Sequence, residues 1–121
     1  MSHVLVTRQR IRATYTMLRE FAPFSRWGLP PATEVRFELM QGSDFGQYNE
    51  DAKGRHVIAV NPGNVHGVRS LVLVVAHEMT HMRQHLMGKR PVTKDDQHNA
   101  TFNRLGLMVC RSLFIDPADF F

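Results

Sequence analysis

This sequence is poor in the features that staple or anchor a chain. It has a single cysteine, Cys110, which excludes an intramolecular disulfide framework and a four-cysteine zinc ribbon, since each draws several thiols from one chain. A reducing compartment fits that usage. At the N-terminus, Met1-Ser2-His3-Val4-Leu5-Val6-Thr7-Arg8 meets charge before any apolar stretch of signal-peptide length. The longest apolar run, residues 71–76, is far short of the roughly 20 residues a membrane span needs. The expectation is a soluble, cytoplasmic protein. No repeat, low-complexity tract or linker interrupts the 121 residues, a length of about one ordinary domain, so residues 1–121 are read as one unit.

What the chain does have is ordinary in bulk and unusual in one residue type. Its 43% apolar and 21% charged residues are those of a globular protein, which excludes a disordered or collagen-like chain. The net charge of +4 permits an acidic partner without requiring one. Weak, non-specific DNA contact through arginines scattered from Arg8 to Arg111, Arg12, Arg19 and Arg26 among them, is the partner it allows beside a protein or peptide substrate. The seven histidines are a heavy load for so short a chain, and imidazole is the commonest metal ligand.

The pattern along the chain predicts an α+β fold. Thr7 can cap a helix over residues 8–22, with Ile11, Tyr15 and Leu18 on one face, stopped by Pro23. Val35, Phe37 and Leu39 alternate with Glu34, Arg36 and Glu38, the period of a half-buried strand. Further strands are expected over residues 45–49 and 55–61, joined by the polar turn 50–54, and the short connections predict an antiparallel three-stranded meander. A long helix should run from a cap at Asn64 to Met87, where Gly88 supplies the stop. Its valines favour strand, but Val68, Leu71, Val72, Val75, Met79, Met82 and Leu86 share one face at helical spacing. Thr93 and Asp96 suit the cap of a last helix over residues 94–113, with Phe102, Leu105, Val109 and Leu113 inward.

The chemistry is concentrated in His77-Glu78-Met79-Thr80-His81. Two imidazoles four residues apart stand one helical turn above each other and can grip one Zn²⁺. Glu78, about 100° round the helix from His77, is kept from ligating but can take a proton from water held by the metal. A chain of this composition produces the pattern by chance about 0.016 times. A catalytic site needs a third protein ligand. His98 is the best placed, past the turn at Gly88 and Pro91, and four residues before the inward Phe102; a hydrogen-bonded core histidine is the other role open to it. Asp95 and Asp96 are alternative ligands, though capping suits them better. His85, about 12 Å along the helix axis from His77, is too far to share its ion, and is read as a surface residue or a support behind the ligands. A metzincin would need glycine at position 84 and histidine at 87, where this chain has Gln84 and Met87.

These residues resemble a known family. Val74-Val75-Ala76-His77-Glu78-Met79-Thr80-His81, followed by His98-Asn99-Ala100-Thr101-Phe102, is similar to the SprT-like zinc metallopeptidase domain, whose relatives include Spartan-type DNA–protein crosslink proteases. Members pair H-E-x-x-H with a later H-G-x-x-F; here Asn99 stands at the glycine. The resemblance implies a zincin-like core with an N-terminal helix, three strands, an active-site helix and a C-terminal helix carrying the third histidine, in a minimal form without a zinc ribbon. It implies Zn²⁺ on His77, His81 and His98, with Glu78 as general base in peptide hydrolysis. Tyr48 and His66 are the candidates to stabilise the oxyanion. Two other readings fit the same residues: a nucleic-acid-binding module in which zinc only staples the last helices, and a virion or assembly protein with a zincin fold.

Overall fold

The computed structural model describes residues 5–88 and 98–121. Helix α1, Arg8–Leu18, starts where the sequence places it, because the Thr7 hydroxyl accepts from the Arg10 amide at 3.1 Å. It buries Ile11, Tyr15 and Leu18 but stops short of residue 22, because the amides of Glu20 and Phe21 reach back only three residues, to Met17 and Leu18. Single 3₁₀ turns at Phe24–Arg26 and Ala32–Glu34 lead into the sheet.

The three strands are β1, Val35–Leu39, β2, Gly46–Glu50, and β3, His56–Val60. The expected antiparallel meander is incorrect. The order is β1-β3-β2, with β3 antiparallel to β2 and parallel to β1, so the sheet is mixed. The reason lies in β3, where Val57, Ile58, Ala59 and Val60 are all buried. A strand apolar on both faces needs cover on both sides and belongs at the centre, whereas β1 alternates and β2 is polar along most of its length. The β1–β2 connection does not close as a hairpin. It is held against the end of β3, where the Asn61 side-chain amide donates to the carbonyls of Gly42 and Asp44 at 2.8 and 2.9 Å.

Helix α2, Val68–Leu86, packs its apolar face on β2, β3 and α1, burying Leu71, Val75, Met79 and Met82. Its N-cap is Gly67, with no side-chain hydrogen bond. Asn64, the expected cap, instead donates to the carbonyls of Ser43 and Asp44. Gly88 closes the helix at φ 72°, the left-handed position that favours glycine.

The last long helix, α3, is Ala100–Leu113, not 94–113. Asn99 is extended and its side-chain oxygen accepts from the Phe102 amide, so the helix begins just after it and His98 precedes the helix instead of riding on it. Thr93, Asp95 and Asp96 lie outside the described residues. A short helix unforeseen in the sequence, α4, Pro117–Phe120, follows, capped by Asp116 with proline at its start. Gly106 lets it close on α3, since a methyl there would meet the Phe121 ring at 2.5 Å. The described residues thus form an α+β fold with four helices and a three-stranded sheet. No helix among them is long and apolar enough to cross a membrane.

Candidate metal centre

One face of α2 carries His77, Glu78, His81, Gln84 and His85 into a cleft of about 790 Å³. Edge strand β2 forms the opposite wall, and His98, Phe120 and Phe121 also line it. His77, His81 and His98 converge, each offering a ligand atom within 4.8 Å of the others. Their ring centroids are 5.0 to 5.1 Å apart. Phe102, fully buried, is the floor beneath them: it stacks on His81 at 4.1 Å and on His98 at 4.6 Å, and tilts against His77 at 5.0 Å. The sequence expectation that His98 rides on the inward face of the last helix is incorrect: it reaches Phe102 from the turn before α3.

The chemistry of the donor set fits a metal ion. The Phe120 carbonyl is 2.9 Å from His77 Nδ1. A carbonyl can only accept, so Nδ1 carries the proton and Nε2 keeps a free lone pair. His81 Nδ1 lies 3.2 Å from Gln84 Oε1. Burial pulls all three imidazoles below their usual pKa. His81 goes furthest, to about 3, with the neighbouring His77 adding to the effect. Neutral imidazoles are what a metal requires, because a protonated ring has no lone pair to give. The Phe120 carbonyl and Gln84 are contributions that spacing alone does not announce. The Asp116-Pro117 pair, a helix-start signal, was the one sequence clue to the former.

Glu78 is 5% exposed and its carboxyl is pushed up to about 8, first by burial and then by the Asp44 carboxylate. It is close to β2 because position 46 is glycine: a methyl on Gly46 would stand 3.3 Å from Glu78 Oε2 and 2.7 Å from Val74 Cγ1. Tyr48 lines the cleft, and its hydroxyl is 2.7 Å from His56 Nδ1. His66 is exposed and is not among the cleft-lining residues. His85 is apart from the three histidines that could hold a metal, as its distance along the helix requires, with Nε2 3.1 Å from Glu50 Oε1 and its ring against Tyr48 and His56.

Of the arginines considered for phosphate contact, Arg8 pairs with Glu38 and Arg19 donates to the Leu29 carbonyl, while Arg12 and Arg26 are exposed. Asn99, which departs from the glycine of the resembling motif, has a definite role as the cap of α3. Three histidines that could hold a metal ion, a buried carboxylate and an edge strand thus share one cleft. Comparison of the chain with protein-family models, curated proteins and solved structures returned no match.

Proposed function

We propose that this protein is a zinc-dependent metallopeptidase of the SprT-like kind. The observation that carries the reading is the placement of three neutral histidines beside a buried glutamate in a cleft walled by an edge strand. Three imidazoles with room for a further ligand are a catalytic zinc set, whereas structural zinc is closed by four protein ligands. Zn²⁺ bound there would supply Lewis acidity, polarising a peptide carbonyl and lowering the pKa of water.

The chain's own residues do the rest. His77 and His81 would hold the ion through the nitrogens their backing hydrogen bonds leave free, and His98 would complete the set. Glu78, whose carboxyl is pushed up to about 8 by burial, would act once ionised as the base that accepts a proton from water and returns it to the leaving amine. Strand β2 is an edge strand among the described residues and lines the cleft, where an extended peptide could be held as an added strand. Tyr48, on that strand, is the better placed of the two oxyanion candidates because His66 does not line the cleft.

Glu78→Gln tests the reading. The amide is nearly isosteric and cannot accept the proton, so the variant should keep zinc and fold while losing cleavage of a casein-like substrate by at least about 100-fold. Undiminished cleavage by the zinc-loaded variant would refute it.

A further inference from the structure

Gln84 is a polar side chain only 1% exposed, one turn beyond His81 on α2. Its two ends reach different parts of the metal centre. One atom lies 3.2 Å from His81 Nδ1 and the other 3.0 Å from Asn99 Oδ1. That same oxygen is 3.1 Å from the Phe102 amide nitrogen.

The direction of this chain of hydrogen bonds follows from one fixed point. A backbone N–H can only donate, so the atom of Asn99 facing Phe102 is its oxygen. The end of Gln84 that meets this oxygen must then be the NH₂ group, and its other end the carbonyl. A carbonyl facing His81 Nδ1 requires the proton on Nδ1 and leaves the lone pair of Nε2 free. Turning the Gln84 amide over would set oxygen against oxygen at Asn99, in a place shielded from water.

We infer that Gln84 and Asn99 form a polarity-locked clasp, in which the cap of α3 sets the tautomer of His81 and ties the segment carrying His98 to α2. Gln84 is a positioning residue: it acts on the metal through His81 and Asn99. The clasp couples two ligands from separate parts of the chain, because the residue that fixes one ring also anchors the residue next to the other. Its effect on zinc affinity rests on the metal-centre reading above, while the tautomer it imposes does not.

The test uses the full chain and zinc alone. Long-range ¹H–¹⁵N correlation of the histidine side chains near neutral pH should show His81 protonated on Nδ1, with and without zinc. His81 protonated mainly on Nε2 would overturn the clasp, and this measurement needs no variant. In chelator competition, Gln84→Leu and Asn99→Ala should each weaken zinc by about 10–100-fold. Asn99→Asp keeps an acceptor for both donors and should stay within about threefold of the wild type. The double variant Gln84→Leu/Asn99→Ala should lose no more than the weaker-binding single variant, because both break one linkage. Wild-type affinity in a folded Gln84→Leu protein, or losses that multiply in the double variant, would refute the proposal. A wild-type chain that binds no zinc would sink the proposed function and leave the tautomer to decide the clasp.

Discussion

Gly46→Ala probes a close approach between the sheet and α2. The added methyl would stand 2.7 Å from Val74 Cγ1, 2.9 Å from the Ala59 carbonyl oxygen and 3.3 Å from Glu78 Oε2. Carbon atoms prefer about 3.5–4.0 Å, so a gap of nearly 1 Å has to open. The Ala59 carbonyl belongs to the buried central strand and has little room to yield. Val74 is β-branched on a helix, where one rotamer dominates, so rotating it away is also unfavourable. The remaining response is for β2 to move off α2 at the level of Glu78. Overpacking of this kind costs about 1–3 kcal/mol, which for a domain of this size lowers Tm by roughly 4–12 °C. Thermal unfolding should show that loss, and cleavage should fall with it. Zinc affinity should hold within about threefold, because the ligands come from α2 and the segment before α3, not from β2. Gly67→Ala, whose methyl would meet nothing within 4 Å, is the control and should cost under about 1 kcal/mol. Pairing Gly46→Ala with Val74→Ala removes the closest clash and should recover part of the loss relative to the sum of the single changes. A Gly46→Ala protein with wild-type Tm and full activity would refute the reasoning.

Two further outcomes follow from the metal centre. His98→Ala should weaken zinc binding by at least about 10-fold and His85→Ala should not, because only the former stands with His77 and His81; full zinc in the His98 variant and loss in the His85 variant would overturn the ligand set. The metal-free chain should be most stable near pH 6.5. His81 stays neutral when folded down to about pH 3 but is protonated near 6.5 when unfolded. The unfolded state therefore binds more protons below 6.5, and stability falls with pH by about 1.4 kcal/mol per unit for this group. His77 and His98, shifted the same way, add to that acid loss. Glu78 acts oppositely: its folded carboxyl is raised from 4.5 to about 8, so the stability it contributes is full below 4.5 and is lost as pH rises toward 8. Denaturant unfolding across roughly pH 4–9 checks both slopes, and stability that climbs steadily through pH 8 would refute the part assigned to Glu78.

What the sequence by itself determined is the local chemistry. His77, Glu78 and His81 share a helical face because backbone geometry alone places residues one turn apart side by side. The same periodicity set His85 apart from His77, and the cap at Thr7 and the stop at Gly88 are equally local. Sheet order was only half legible. The continuous apolar run of β3 carries the mark of a central strand, yet short connections argued for a meander; burial of β3 on both faces prevailed, and Asn61 and Asn64 hold the β1–β2 connection in the resulting order. Tertiary structure alone brought the Phe120 carbonyl to His77, residues 43 positions apart, and Asn99 to Gln84, 15 apart. Those contacts depend on how α4 and the start of α3 pack against α2, and no spacing rule within one helix or strand encodes packing between elements. Side-chain periodicity is a property of the backbone, while the partners that orient each imidazole are a property of the whole fold.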